Sequence, residues 1–252
     1  MVDFKADENL SVLNHSCAHL MAQAVKHLYP NAKFWVGPVV SEGFYYDIDL
    51  GDEVINQDDI AAIEKEMKKV AKEGKKIIRR EVSKAEALEM FKDDEYKLDL
   101  ISNLEDGNIT VYDQGDFTDL CRGPHVDNSQ ELLSAAFKIK STSGAYWRGD
   151  EHNDMMQRIY LYAFPSKDEL KAHLNLVREA LERDHKKIGP QLDLFMFSET
   201  APGMPYWLPR GWKSYRALIQ YWREIHDRNG YQEISAPVIN NRKLWLISGH
   251  WG

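Results

Sequence analysis

Cysteine is nearly absent. Cys17 and Cys121 are the only two in 252 residues, too few to staple a secreted scaffold of this length with disulfides. No charged-then-apolar leader opens the chain, and no apolar run approaches the roughly 18 residues a membrane span needs, so the expectation is a cytoplasmic protein that makes no membrane contact. Glycine (15) and proline (9) are too sparse for a collagen-like or low-complexity chain. Positive charge is short as well: 32 Lys and Arg against 40 Asp and Glu leave a net −8, which excludes a uniformly basic nucleic-acid coat. The deficit is uneven, because residues 1–119 carry 14 basic and 25 acidic side chains whereas residues 120–252 carry 18 and 15.

What is present is a core-forming mixture, 43% hydrophobic, long enough for one to two domains at about 150 residues each. Helical spacing runs from Ser11, a candidate N-cap, to Tyr29, with Pro30 as the stop. Lys33 to Val40 and Gly43 to Leu50 predict a hairpin. Asp58 to Glu73 predicts a helix closed by Gly74, and its outer face is basic: Lys65 to Arg80 holds eight Lys or Arg against two Glu, a pattern more common on a solvated face than on a phosphate track. A strand at Lys76 to Val82 and a capping box at Ser83-x-x-Glu86 follow, then a loop-rich, acidic stretch over 93–119. Ala136–Lys140 and Met156–Phe164 predict two more strands. A second capping box, Ser166-x-x-Glu169, opens a connector helix that Gly189-Pro190 ends. Beyond it lie a helix from Trp212 to Arg228 and an extended stretch broken at Pro237. The expected fold is α+β: a two-layer domain of antiparallel strands and helices over residues 1–165, a connector helix over 166–189, and an incomplete further domain over 190–252.

Two short pairs carry the chemistry. His15 and His19 are four apart on a helix, so both imidazoles project from one face. Cys121-x-x-x-His125 encloses Gly123-Pro124, which suits a tight turn. Each pair alone fits an ordinary core or surface as well as a site, and the His pair lacks the glutamate of a zinc-protease motif. Together they could form a His3Cys set suited to tetrahedral zinc. Asp119 and Arg122 flank the second pair, where a carboxylate could orient an imidazole or receive a substrate amine.

The segments His15-Ser16-Cys17-Ala18-His19-Leu20, Gly43-Phe44-Tyr45-Tyr46-Asp47, Cys121-Arg122-Gly123-Pro124-His125 and Gly144-Ala145-Tyr146-Trp147-Arg148-Gly149-Asp150 resemble, in order and spacing, the editing domain of bacterial threonyl-tRNA synthetases. Arg183-Asp184-His185-Lys186-Lys187-Ile188-Gly189, Ala201-Pro202-Gly203-Met204 and Ser248-Gly249-His250-Trp251 are similar to the linker and the opening of that family's class II catalytic domain. The His and Cys pairs are shared with alanyl-tRNA synthetase editing domains, but the later segments point to the threonyl family.

The resemblance implies a hydrolase that removes serine wrongly attached to threonine tRNA. Serine lacks one methyl of threonine, and a missing methylene gives only ~1–3 kcal/mol of discrimination, so a second sieve is needed. By resemblance His15 would orient the attacking water or the terminal ribose, with His19, Cys121 and His125 lining the pocket. Lys97 would position water or stabilise an oxyanion, Asp119 would hold the seryl ammonium, and Tyr46 would contact the terminal adenosine. The set His15, His19, Cys121 and His125 permits Zn2+, although editing with ordered water and no cofactor is the preferred expectation. ATP and the catalytic zinc of the family would belong to a part of the synthetase outside these residues. The family opens with a further small domain, of which Val2-Asp3-Phe4 would be the tail. The expected partner is tRNA(Thr), chiefly its aminoacylated 3′ end, with a homodimer for the family and a monomer for this chain. A catalytically idle RNA-binding module, suggested by the basic helix and by Lys138, Lys140, Arg148 and Arg158, is the competing reading; a metal-dependent hydrolase unrelated to tRNA is a third.

Overall fold

The first helix starts one turn earlier than its apolar spacing suggests. In the computed structural model, which describes residues 3–237 and 239–251, α1 spans Glu8–Leu28, and Asp7 rather than Ser11 is its N-cap, accepting from the Leu10 amide at 3.0 Å. A carboxylate cap followed by Glu8 complements the positive end of the helix dipole, which gives the earlier start its advantage. Val2 and Gly252 lie outside the described residues.

The expected hairpin forms, but its first arm is broken. β1 (Lys33–Phe34) and β2 (Val39–Val40) both pair antiparallel with β3 (Gly43–Asp49), Lys33 opposite Asp49 and Val39 opposite Phe44. Between them Gly37 passes the Tyr46 ring so closely that a Cβ there would sit 2.5 Å from a ring carbon, and Pro38 cannot donate to the ladder. β3 continues through β8 (Met155–Phe164) to β7 (Ala136–Tyr146), giving a five-stranded antiparallel sheet. Helices α1 and α2 (Gln57–Lys72) supply its core: Leu20, Met21, Ile63 and Met67 form one buried cluster with Phe44, Ile48, Ile159 and Leu161. Each such side chain contributes ~1.5–3 kcal/mol on burial. This is the anticipated α+β, two-layer arrangement.

The stretch 93–119 is far more ordered than its turn signals suggest. α3 (Lys84–Met90) begins at the predicted Ser83 box; α4 spans Glu95–Ser102, and β5 (Ile109–Gln114) and β6 (Phe117–Leu120) join β4 (Ile77–Val82) in a three-stranded sheet of order β4-β5-β6. A small core of Val82, Ala87, Ile101, Ile109 and Val111 holds this layer. α4 reads Glu-Tyr-Lys-Leu-Asp-Leu, alternating polar and apolar, so its period mimics a strand. Asp94 makes it a helix by accepting from the amides of Tyr96 and Lys97.

By contact density the chain divides into Met1–Leu176 and Val177–Gly252, the dividing point lying inside α5 (Lys167–Glu182). The expected single connector helix is interrupted: α5 ends at Glu182, and Asp184 caps a new helix, α6 (His185–Gln191), which runs through Gly189-Pro190. In the second unit β9 (Phe195–Met196) pairs with β10 (Tyr206–Trp207), α7 spans Pro209–Arg228 with Pro209 in its first turn, and α8 spans Arg242–Ile247. The extended stretch expected before Pro237 forms no strand among the described residues. No helix among the described residues is long and apolar enough to cross a membrane.

Two polar contacts tie α1 to the sheets. Asn14, fully buried, donates to the Ala163 carbonyl and accepts from the Ala163 amide, both at 2.9 Å. Asn14→Ala leaves both backbone groups of β8 unpaired and is expected to lower unfolding stability by about 2–4 kcal/mol in denaturant titrations. His27 lies between Glu66 (2.9 Å) and Asp116 (3.1 Å). Burial lowers its pKa, but the two carboxylates outweigh that and the net shift is upward. A raised native pKa means the protonated clamp stabilises below about pH 6.5 and loses that effect as pH rises through the native value. The stability margin of the wild type over His27→Gln should therefore be larger at about pH 6 than at about pH 9.

Candidate functional site

The polar stripe of α1 makes the site. His15, His19 and Gln23 follow one another at four-residue spacing, and Gln23 is tied to Gln114 (2.8 Å) and Asp116 (2.6 Å) at the β5–β6 turn. That docking lays the two imidazoles against the end of β6. Cys121 leaves β6 directly, with its amide on the Thr110 carbonyl, and the cis Gly123-Pro124 bond lies in the turn that brings His125 back to it. Gly123 has φ +73, and a Cβ would lie 2.0 Å from the Tyr112 hydroxyl, so only glycine fits.

All four expected residues converge. The ligating atoms of His15, His19, Cys121 and His125 lie within 4.8 Å of one another. Cys121 Sγ is 3.2 Å from Nε2 of both His15 and His125, and accepts from the Gly123 amide at 3.3 Å. A residue the sequence reading passed over also serves here: buried Ser16 contacts His125 Nδ1 at 3.3 Å, donates to the Val12 carbonyl and accepts from the Val126 amide. With its proton directed to Val12, Ser16 is left as an acceptor for His125 Nδ1–H, which turns the bare Nε2 toward the thiol.

Burial dominates the protonation of this group. It lowers the pKa of His15 against the opposing Pro124 backbone and Asp119; it lowers His19 well below the ordinary imidazole value, aided by His15 and Lys97; and it lowers His125 strongly, aided by its two neighbouring imidazoles. Burial also pushes the Cys121 thiol up to about 12. The cluster is thus three neutral imidazoles and a thiol. Such a set suits a metal by its donors: neutral imidazoles are ready ligands, the four ligating atoms lie within 4.8 Å of one another, and His19 Nδ1 is buried without a hydrogen-bond partner. Binding would displace the thiol proton.

Beside it stands a charged group. Lys97 Nζ meets Asp119 Oδ1 at 2.5 Å, the Trp35 carbonyl at 3.0 Å and the Tyr46 hydroxyl at 3.3 Å, which uses all three of its protons. Asp119 also accepts from the Leu120 amide and, through a very short bond, from Tyr46, while His19 Nε2 is 3.7 Å from Oδ2. Both charged side chains are almost wholly buried, and burial together with Asp119 raises the Tyr46 phenol well above its usual pKa.

These groups line one cavity of about 510 Å³. Its polar side includes His15, His19, Cys121, Tyr46, Lys97, Asp119 and Arg122; its apolar side includes Trp35, Pro38, Leu100 and Leu104, which sequence patterning did not single out. Gly37-Pro38 inside a strand pattern was the available signal for that wall. His125 differs from the expectation of a pocket-lining residue: its ring packs 4.2 Å from that of His19 and 4.3 Å from that of His15, and it faces a separate groove of about 710 Å³ with Tyr112, Lys76 and Arg79. Tyr46 and Asp119 are in the cavity, but their polar atoms are already engaged with each other and with Lys97.

A family described as the threonyl and alanyl tRNA synthetase second additional domain matches residues 109–160, from β5 into β8. The matched stretch includes Asp119, Cys121 and His125, whereas His15, His19, Tyr46 and Lys97 lie before it. The chain is 50% identical over 247 residues to a threonine–tRNA ligase of Desulfatibacillum aliphaticivorans, 49% over 251 residues to one of Clostridioides difficile, and 47% over 254 residues to one of Thermotoga maritima. These alignments cover 98%, 98% and 100% of the chain, but only 38%, 39% and 39% of the relatives. The chain therefore spans under two fifths of the length of the curated relatives it matches.

Gly123→Ala tests the turn that joins Cys121 to His125. Left-handed backbone and the Tyr112 clash together are expected to cost about 2–4 kcal/mol in chemical denaturation. Adding Tyr112→Phe should recover only part of this, since the backbone strain stays.

Proposed function

Over nearly its whole length this chain is related to bacterial threonine–tRNA ligases, and from that relation we propose that residues 1–165 form an editing pocket that hydrolyses the ester joining serine to the 3′ end of threonine tRNA. The residues 166–189 and 190–252 would then be the linker and the beginning of the ligase's catalytic domain. The observation that carries the reading is the cavity in which His15, His19 and Cys121 of the neutral cluster face a buried Lys97–Asp119 pair.

Ester hydrolysis needs a placed water, a donor for the developing oxyanion and a proton for the leaving ribose oxygen. A buried, neutral His15 has a lone pair to hold water, and Cys121 fixes its Nε2 edge. Water adds to the ester carbonyl carbon, the carbon–oxygen bond to the ribose breaks, and the proton lost by water ends on the ribose oxygen. Lys97 provides fixed positive charge for the oxyanion, and Asp119 holds Lys97 in place and faces the seryl ammonium. In this reading Tyr46 completes the wall beside the terminal adenosine. Close packing of Gly37 on Tyr46 makes that wall stiff, and a stiff wall rejects the extra methyl of threonine by clash. His15, His19, Cys121 and His125 would hold zinc if one is bound, and zinc would supply Lewis-acid chemistry there; the steps above need none.

The test is release of labelled serine from seryl-tRNA(Thr), with threonyl-tRNA(Thr) as the competitor substrate. The expected result is hydrolysis of the seryl ester alone, a loss of about a hundredfold in His15→Ala, and no change on chelation. Salt-sensitive tRNA binding without hydrolysis would replace the reading by the idle binding module. Loss of the reaction on chelation, restored by zinc, would replace the water route by a metal route.

A further inference from the structure

The segment Gly144–Asp150 stands out in the sequence, yet none of it lines the cavity. It forms the tip of the β7–β8 hairpin, where a short 3-10 turn, Trp147–Gly149, places Arg148 in the left-handed region (φ 58, ψ 13). Arginine rarely adopts that conformation, and the contacts around it account for its being held there. The Trp147 amide donates to the Asp154 carbonyl at 2.9 Å, and the Trp147 carbonyl accepts from the Asp150 amide and the Asn153 side chain. The tip is therefore closed on itself before it touches anything else.

What it touches is α4. The Trp147 ring meets Tyr96 edge-on, with centroids 5.2 Å apart, and Arg148 Nη2 meets both Asp99 oxygens at 2.7 and 2.6 Å. Tyr96 and Asp99 are three apart and so share one face of the helix. Lys97 and Leu100, also three apart, share another, and that one is cavity wall together with Leu104 just past the helix end. Tyr96 is further fixed by its hydroxyl on Asp49 at 3.0 Å. One side of a two-turn helix is gripped on both flanks of Lys97, while the other side forms the pocket.

We propose that the hairpin tip, through Trp147 and Arg148, sets the rotation of α4 and so aims Lys97 into the cavity, making Arg148 a positioning residue of the pocket. An eight-residue helix has little stability of its own, so its orientation comes from what holds it. The Lys97 ammonium is at the end of an arm of about 8 Å from the helix axis, so a turn of about 15° displaces it by about 2 Å. That shift exceeds the tolerance of its three hydrogen bonds.

The role of Lys97 comes from the editing reading, whereas the aiming of its ammonium is measurable without it. Arg148→Gly removes the guanidinium and suits the backbone conformation; Asp99→Asn removes the other half of the contact. In the full chain each is expected to lower kcat for seryl-tRNA hydrolysis about ten- to a hundredfold, with KM and the thermal midpoint little changed. In a Lys97→Met, Asp119→Asn background, which removes the buried charges together, neither should lower the rate further. Lys92→Ala, in an exposed ion pair with Glu89 at the turn after α3, should leave the rate unchanged. The buried Lys97 ammonium should give its own 1H–15N signal, and that signal should shift or broaden in both Arg148→Gly and Asp99→Asn. Multiplicative losses in the charge-free background, or a Lys97 signal identical to wild type, would overturn the proposal. If the wild-type chain does not hydrolyse seryl-tRNA, the editing reading fails, and the ammonium signal alone then decides the positioning of Lys97.

Discussion

The ion pair between Lys97 and Asp119 imposes the strictest constraint on the molecule. Both side chains are only 2–3% exposed, and taking two charges out of water costs several kcal/mol each unless every proton and lone pair finds a partner. Those partners come from separate places: the Trp35 carbonyl from the break between β1 and β2, the Tyr46 hydroxyl from β3, the Leu120 amide from β6. Lys97 itself rides on α4. The pair is satisfied only when both sheets and this short helix are in place, which makes it a poor source of net stability and a strong specifier of one arrangement.

The broken edge of the five-stranded sheet follows from that demand. A regular strand over residues 33–40 would pair the Trp35 carbonyl with the Asp47 amide; that amide bonds the Val36 carbonyl instead, while the Trp35 amide keeps the Asp47 carbonyl, and this bulge, just before the Gly37-Pro38 kink, leaves the Trp35 carbonyl free for Lys97. The kink also brings the backbone against the Tyr46 ring, which fixes the phenol beside Asp119. Sheet irregularity and charge burial are thus one feature seen from two sides. The neutral cluster next door is built by the opposite logic. Burial keeps the three imidazoles and the thiol uncharged, so the rings can pack with centroids 4.2–5.6 Å apart without the repulsion that protonated histidines would feel.

Sequence patterning reaches the long elements and the chemistry, and it fails where tertiary contacts override local signals. α2, α7 and the strands β4 and β8 carry clear periods and sit close to where those periods put them. His15 with His19, and Cys121 with His125, are legible because spacing on a helix and around a Gly-Pro turn limits where side chains can go. α4 is invisible, since its residues alternate like a strand and the helix rests locally on the Asp94 cap. Leu170, Leu174, Val177 and Leu181 with Gly189-Pro190 as the next stop signal predict one connector helix, yet Asp184 caps a fresh turn at the Lys186 amide and restarts the helix. Ser16 and Trp35 escaped notice for a different reason. One acts through a hydroxyl and the other through a backbone carbonyl, and neither leaves a mark in a pattern of apolar and charged residues.

The net charge of −8 takes on a narrower meaning beside this geometry. Screening confines a charge to about 8–10 Å in physiological salt, so a distant carboxylate has little hold on what enters the cavity. Inside that radius the cavity presents a neutral cluster, a self-compensated Lys97–Asp119 pair and, at its exposed edge, the Arg122 side chain. Attraction of an anion through charge then falls to Arg122 at the edge, and the buried lining sorts by shape and hydrogen-bond geometry. For two side chains that differ by one methyl, attraction gives little discrimination and rigidity gives more. The buried pair supplies that rigidity, because any movement that admits a larger group must first expose or separate two charges held in a dry interior.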